Sequence, residues 1–155
     1  MKRKEIENVL ENCEFFRGLG KKDISKIAGL CRMDTHESGE YVFRQGDYGE
    51  HLHVIAEGSV NLERSIDLGT KKGNVVMEVL GKGRVLGCWS TLLGLPHILM
   101  SSATCQKPTT MVVIKGTDLR AMMVDNPELG FNVMERLAFL LRDRIQAAYG
   151  AMEKI

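Results

Sequence analysis

Two histidines and a glutamate are spaced along one apolar stretch as His51-x-His53-x-x-x-Glu57. On a β-strand these side chains share one face, and two imidazoles beside a carboxylate are ligands that a transition metal takes. Ile55 also falls on that face, and Glu57 precedes Gly58, where we expect a hairpin. We therefore favour histidines that face solvent or a turn. A metal site at His51, His53 and Glu57 is kept as the alternative.

The cysteines offer little chemistry of their own. They stand at Cys13, Cys31, Cys88 and Cys105, with no C-x-x-C spacing. In a chain without an export signal, such cysteines are interpreted as free and mostly buried thiols. No G-x-S-x-G motif supports a serine nucleophile either. We expect no catalytic residues and no enzyme activity.

Charge and hydropathy narrow the function classes. The chain has 21 Lys+Arg against 20 Asp+Glu, a net charge of +1, and these charges are dispersed. The chain has no basic face, so we expect no direct nucleic-acid binding by this chain. The longest apolar run covers residues 137–141, far short of the ~20 residues that span a bilayer. We expect one cytoplasmic domain, residues 1–155, with no membrane partner.

Glycines divide the middle of the chain into short β-like runs. Eleven of the 16 glycines fall between Gly39 and Gly116, and turn signals at such spacing are typical of a sandwich or barrel. Residues 52–56 and 60–66 are predicted as strands, and residues 75–80 and 111–114 as more deeply buried strands. Because exposed strand edges are usually hidden by closure or a double sheet, we predict a jelly-roll barrel over residues 32–115.

Helices are predicted on both sides of the barrel. Residues 1–31 are predicted to be helical, with one face marked by Ile24, Ile27, Ala28 and Cys31. Residues 116–155 form the second helical zone, in which Asn126 and Pro127 predict the start of a long helix. The fold class is therefore mainly β with flanking helices.

The long final helix carries a heptad-like apolar seam. Its members are Phe131, Met134, Ala138, Leu141, Ile145, Ala148, Met152 and Ile155. We favour pairing of this seam with a second copy across a two-fold axis, which makes a homodimer. The alternative is a helix that packs on its own barrel, and part of the stripe could serve both surfaces.

Two glycine-framed stretches resemble the cyclic nucleotide-binding domain family. They are G-E-Y-V-F-R-Q-G-D at residues 39–47 and L-H-V-I-A-E-G-S-V at residues 52–60. Residues 15–19, residues 80–93 and the long final helix extend the similarity over nearly the whole chain. The resemblance implies a double-stranded β-helix jelly roll with N-terminal helices and a long C-terminal helix.

The same resemblance places a ligand cassette between two strands. In the family a glutamate after a glycine holds the ribose hydroxyl, and an arginine forms a bidentate pair with the cyclic phosphate. Here the glutamate position is occupied by Cys88, or by Trp89 if the register shifts by one residue, and the arginine position by Ser101 or Ser102. We expect ligand contacts from Gly87, Cys88, Trp89, Ser90, Thr91, Ser101 and Ser102.

These observations predict a non-enzymatic, ligand-sensing regulatory domain with a degenerate cassette. We expect weak cAMP or cGMP binding, or another small ligand, and no cofactor beyond it. A ligand would shift a hinge at residues 116–126 and with it the final helix. Catabolite-activator relatives append a helix-turn-helix, so DNA binding would have to come from residues beyond this sequence. A ligand-independent interaction module and a metal-dependent cupin enzyme, which also has a jelly-roll fold, are the alternatives.

Overall fold

A computed structural model of the chain describes residues 2–87, 89–95 and 97–154. The helices are α1 (Lys2–Glu11), α2 (Lys21–Ala28), α3 (Gly116–Asp125) and α4 (Pro127–Met152), with a short 3-10 helix at Trp89–Leu93. The strands are β1 (Cys31–His36), β2 (Tyr41–Phe43), β3 (Tyr48–Gly49), β4 (His51–Glu57), β5 (Val60–Asp67), β6 (Lys72–Leu80), β7 (Val85–Gly87), β8 (His97–Ile98), β9 (Ser102–Cys105) and β10 (Thr109–Lys115).

The strands form antiparallel sheets that confirm the predicted β architecture with flanking helices. The first sheet has the order β1-β10-β4-β7, the second β2-β9-β5-β6, and β3 pairs with β8 in a short third sheet. Within the described residues no strand ladder joins the first sheet to the second. The jelly roll is therefore a double sheet, and the prediction of a closed barrel is corrected.

The turn at Gly58 connects the two large sheets. Gly58 has φ 115°, in the region that favours glycine, as the sequence predicts. A Cβ there would lie 2.3 Å from the Thr109 Oγ1 atom, so the close approach also requires glycine. The expected hairpin is wrong, because β4 pairs with β10 and β7 whereas β5 pairs with β6 and β9.

The prediction that residues 75–80 form a deeply buried strand is also wrong. Strand β6 is at the edge of its sheet, and Val76 and Val79 are 44% and 53% exposed. A run of valines therefore does not distinguish an edge strand from a central one. Strand β10, by contrast, is central, and residues 111–114 are all buried as predicted.

Apolar residues are buried in two layers. One cluster lies between the two large sheets and includes Ile55, Leu62 and Val113. The other lies on the outer face of the first sheet, where Leu52 and Val54 pack with residues of the helices. Because alternate residues of a strand face opposite sides, strand β4 contributes to both layers.

The N-terminal helices cover this outer face. The predicted apolar residues Ile24, Ile27 and Ala28 of α2 are buried there. Cys31, expected on the same helical face, is instead the first residue of β1, because the helix ends at Ala28 and Gly29 follows it. The boundary between helices and strands therefore falls one residue before the predicted position 32.

Helix α4 begins where the sequence predicts. The side chain of Asn126 accepts a hydrogen bond from the backbone N–H of Leu129 at 3.3 Å, and Pro127 is the first helical residue. An N-cap of this kind satisfies a donor that the first turn leaves without an intrahelical partner. Within the described residues, no helix combines the length and apolar character that crossing a bilayer requires.

Candidate functional site

A cavity of about 500 Å³ lies between the second sheet, the segment that follows β7, and the C-terminal half of α4. This size falls within the ~300–1,000 Å³ typical of small-molecule sites. Most of the surface is apolar. We call it the α4 cavity, and its lining includes Phe43, Leu62, Arg64, Glu78, Trp89, Leu99, Ser101, Leu137, Leu141, Arg144, Ile145 and Met152.

Four of the predicted ligand residues line the α4 cavity. These are Gly87 and Trp89, at the end of β7 and the start of the 3-10 helix, together with Ser90 and Ser101. The structure thus brings the two ends of the predicted cassette to one cavity. Cys88 lies outside the described residues.

The other two predicted ligand residues are turned elsewhere. Thr91 is buried, and its hydroxyl lies against Gly116 at the start of α3. Ser102 accepts a hydrogen bond from the backbone N–H of Gln45 at 2.8 Å and lines a separate shallow depression. Ser101 lies in the bend before β9 and lines the cavity, whereas Ser102 is the first residue of β9 and faces the depression.

An ion-pair network reaches the cavity wall through Glu78 and Arg144, and sequence reasoning missed it. The Arg84 guanidinium contacts Glu14 at 3.0 Å and Glu78 at 2.9 Å. The other oxygen of Glu78 lies 3.0 Å from the guanidinium of Arg144 on α4. Glu14 also accepts a hydrogen bond from the backbone N–H of Val85 at 2.6 Å.

Arg144 is the most enclosed member of this network. Its side chain is 10% exposed, and a second hydrogen bond joins its guanidinium to the carbonyl of Val85. Burial lowers the pKa of Arg144, while the nearby Glu78 and Glu14 act in the opposite direction. One signal could have identified it, namely a cation four residues after Leu140 and seven after Leu137, on the buried face of α4.

Two hydrogen-bond donors of this wall have no partner among the described residues. They are Nε of Arg144 and Nε1 of Trp89, and both atoms are buried. The Arg144 Cζ atom lies 5.7 Å from the centre of the Trp89 ring, so the two side chains are neighbours. A buried donor without an acceptor is unfavourable by ~1–3 kcal/mol, so this part of the wall lacks an acceptor.

A second arginine also lines the cavity. Arg64 of β5 is exposed, and its guanidinium donates a hydrogen bond to the backbone carbonyl of Met100. That carbonyl immediately precedes Ser101, so a cation lies beside the position where the family resemblance implies an arginine.

The alternative metal ligands do not assemble. His51 and His53 share one face of β4, with ring centres 6.5 Å apart. Glu57 instead forms an exposed ion pair with Lys82 at 3.6 Å. Among the described residues, no group of three His, Cys, Asp or Glu side chains could hold a metal ion.

His53 is half-buried in the space between the sheets. Its ring packs against Phe43, with centres 5.8 Å apart, and its Nδ1 is buried without a partner among the described residues. Burial, reinforced by His51, lowers its pKa to about 3. The favoured solvent-facing interpretation is therefore corrected for His53.

The three described cysteine thiols show no sign of special reactivity. Cys13 and Cys105 are buried and Cys31 is half-buried, and all three are free. Burial raises the pKa of Cys13 to about 11 and that of Cys31 to about 12. Since the thiolate is the reactive form, neither is poised as a nucleophile.

Comparison with known proteins gives the family. The model of the cyclic nucleotide-binding domain matches residues 34–126, which is more than half of the chain. This protein belongs to the cyclic nucleotide-binding domain family. The match spans β2 to β10 and all of α3, and therefore includes the cassette and the predicted hinge.

Individual relatives place this cyclic nucleotide-binding domain among regulatory proteins. The cGMP-dependent protein kinase egl-4 of Caenorhabditis briggsae is 28% identical over 90% of this chain and 18% of its own length. The Cyclic AMP receptor protein of Thermus thermophilus is 25% identical over 86% of this chain and 60% of its own length. The chain thus spans about a fifth of the kinase and three fifths of the receptor protein.

Solved structures share the fold. A cyclic nucleotide-binding domain from Methylobacillus flagellatus superposes with a TM-score of 0.78 at 23% identity, covering 99% of this chain and 84% of that one. The Catabolite Activator Protein of Thermus thermophilus has a TM-score of 0.71 at 25% identity, covering 90% and 62%. The arrangement of the jelly roll and its flanking helices is therefore that of a cyclic nucleotide-binding domain.

In this cyclic nucleotide-binding domain helix α3, which contains most of the predicted hinge, contacts the predicted cassette directly. Gly116, the first residue of α3, donates its N–H to the carbonyl of Glu50 at 2.8 Å and packs against Thr91. Further along α3, Arg120 donates a hydrogen bond to the carbonyl of Leu92 in the 3-10 helix. Through these contacts, α3 is coupled to the position of the 3-10 helix.

Helix α4 has two apolar faces in this domain. One is buried and includes Leu129, Val133, Leu137 and Leu140. The other carries the predicted seam, except for Ile155, which lies outside the described residues. In this seam Phe131 is 67%, Ile145 54% and Met152 59% exposed, whereas Met134 and Ala148 are half-buried and Ala138 is exposed. Leu141, Ile145, Ala148 and Met152 of the seam also line the α4 cavity.

Proposed function

We propose that this domain senses a small ligand in the α4 cavity and binds cAMP and cGMP only weakly. One observation carries the proposal, namely that the cavity is lined by Ser101, one of the two serines at which the family resemblance implies a phosphate-binding arginine. Residues 85–105 contain no lysine, arginine, aspartate or glutamate at all. A hydroxyl does not replace the bidentate, charged contact that a guanidinium makes with a phosphate.

The relatives explain why cyclic nucleotides are the first ligands to test. A cGMP-dependent kinase and a Cyclic AMP receptor protein are among them, so cGMP and cAMP are the natural comparison. Weak binding follows from the missing cassette charges and from the mostly apolar lining. A ribose and a cyclic phosphate would lose water in this cavity without gaining equivalent partners.

Occupancy would be transmitted through α3. Thr91 packs on Gly116, and the carbonyl of Leu92 accepts a hydrogen bond from Arg120. A ligand that moves the 3-10 helix would therefore move residues 116–126 and the direction of α4. This is a population shift, which requires different ligand affinities for the two positions of α4.

The change in the direction of α4 would be transmitted to a second copy of the chain that binds to this helix. The exposed seam of α4 is an apolar stripe with the spacing of a helix–helix interface, and a partner helix laid on it would bury Phe131, Ile145 and Met152. Since Leu141 and Ile145 also line the cavity, the partner helix would close its open side. The same exposed stripe favours the second candidate function, a ligand-independent dimerisation module.

The single tryptophan provides a direct test. Trp89 is the only tryptophan of the chain and lines the α4 cavity, so its fluorescence reports occupancy. Titration of the protein with cAMP and cGMP should give saturation only in the millimolar range. The variant S101R should tighten cAMP binding by about tenfold or more, because its guanidinium can pair with the phosphate in two places.

The control is S101K, which supplies the same charge without bidentate geometry and should tighten binding less. Micromolar cAMP binding by the unaltered protein would contradict the degenerate cassette. If neither cyclic nucleotides nor a panel of metabolites alters Trp89 emission or thermal stability, ligand sensing is wrong and the dimerisation module is favoured.

A further inference from the structure

The wall of the α4 cavity contains donors that need an acceptor. Nε of Arg144 and Nε1 of Trp89 are buried without partners among the described residues. The other unpartnered buried atoms of the described residues, such as those of Asn61 and Thr104, belong to side chains that do not line this cavity. Because both atoms are buried, an acceptor in the cavity reaches them only if the Arg144 side chain turns toward it.

The charge of the cavity wall favours a ligand with a single negative charge. Among the described residues that line the cavity, Arg64 and Arg144 are accompanied by Glu78, so their charges sum to +1. Glu78 is bound by both Arg84 and Arg144. If Arg144 turned toward a ligand, Glu78 would keep its contact with Arg84, which limits the cost of the rearrangement.

The rest of the cavity favours an apolar body. Leu62, Leu99, Leu137 and Ile145 lie along its sides, and most of its surface is apolar. Hydrocarbon buried there is stabilised in proportion to its area, whereas a sugar would leave its hydroxyls unpaired.

We propose that the α4 cavity binds an apolar monocarboxylate, whose carboxylate pairs with Arg144 beside Trp89 and whose hydrocarbon body lies along α4. This inference rests on the proposed function and assigns a ligand class to the same cavity. The anchor is on α4 itself and not on the cassette. Binding would compete with the Arg144–Glu78 contact, which holds α4 against β6, and would so alter the position of α4.

The test uses the full chain and two matched probes. Decanoate supplies the carboxylate and the hydrocarbon, and decanol supplies the hydrocarbon alone. Decanoate should change Trp89 emission at one molecule per chain, with an affinity about tenfold or more above that of decanol, since a charge-assisted pair is lost in the alcohol.

A pair of variants locates the anchor. R144Q should remove the preference for decanoate over decanol. R142Q is the control, because Arg142 is two residues away on α4, is 61% exposed and pairs with Asp143. It should leave both affinities within about twofold.

The outcomes separate the two proposals. Equal binding of decanoate and decanol overturns the carboxylate site, and this comparison needs no variant, so it stands even if R144Q does not fold. A preference that survives in folded R144Q also overturns it. If decanoate has no effect while cyclic nucleotides still alter Trp89 emission, the ligand class is wrong and ligand sensing stands. If no probe alters it, both proposals fail.

Discussion

The hydroxyl of Thr91 occupies the place that a side chain on Gly116 would need. A Cβ built on Gly116 would lie 1.6 Å from Thr91 Oγ1 and 2.6 Å from its Cβ. The first residue of α3 and the middle of the 3-10 helix are therefore packed with no space between them. Glycine is required here by the close approach of the two segments.

This contact predicts that G116A destabilises the fold. Either the 3-10 helix or α3 must move, and overpacking of this kind is unfavourable by ~1–3 kcal/mol. Urea unfolding followed by circular dichroism measures the change in the free energy of unfolding. G150A on α4 is the control, since nothing lies within 4 Å of its added Cβ, and alanine should stabilise that helix by ~0.5–1 kcal/mol. Equal effects of the two variants would contradict the proposed packing.

The network around Glu78 predicts a strong effect of E78Q. Arg144 would lose its carboxylate while its side chain remains 10% exposed. A buried charge that loses its partner destabilises the protein by ~1–3 kcal/mol. The unfolding free energy of E78Q should fall by this amount.

The exposed ion pair of Glu57 and Lys82, 75% and 73% exposed, provides the comparison for E78Q. E57Q should change the unfolding free energy by no more than ~0.5 kcal/mol. A loss for E57Q as large as that for E78Q would show that burial of the network is not what matters.

His53 predicts a dependence of stability on pH. Its pKa in the folded protein is lowered from 6.5 to about 3, first by burial and then by His51 and His36. Between these values the unfolded chain binds a proton that the folded chain does not, so stability falls as the pH drops from about 6.5 toward 3. One such proton changes the unfolding free energy by ~1.4 kcal/mol per pH unit.

H53L removes this contribution. Urea unfolding at pH 7, 6 and 5 should show a shallower decline of stability for H53L than for the unaltered protein. Comparison of slopes cancels the constant packing difference between leucine and histidine. Parallel slopes would mean that folding does not lower the pKa of His53.

The exposed face of α4 predicts self-association. Light scattering should find a dimer for the unaltered chain and a monomer for L141D, because a carboxylate in an apolar helix interface is not compensated. The control is Q146D, at an exposed position outside the predicted seam, which should remain a dimer. An unaltered chain that is already monomeric would refute the homodimer.

Local signals in the sequence determined much of the framework. Gly58 predicted a tight turn, Asn126 and Pro127 predicted the start of α4, and residues 111–114 predicted a buried strand. Each depends on a residue's own backbone preference or on a short run of side chains, so neighbours along the chain suffice to specify it. The motifs at residues 39–47 and 52–60 likewise indicated the family from the sequence alone.

Tertiary structure alone decided which strands pair and which side chains meet. No local pattern states that β4 and β5 belong to different sheets, that β6 is an edge strand, or that Ser101 faces the α4 cavity while Ser102 faces away. Arg144 meets Glu78 across 66 residues of chain. Burial then determines how much this pair contributes to the free energy of unfolding. Charge, turn and helix signals are local, whereas desolvation depends on everything that packs around a group, and only the folded chain supplies it.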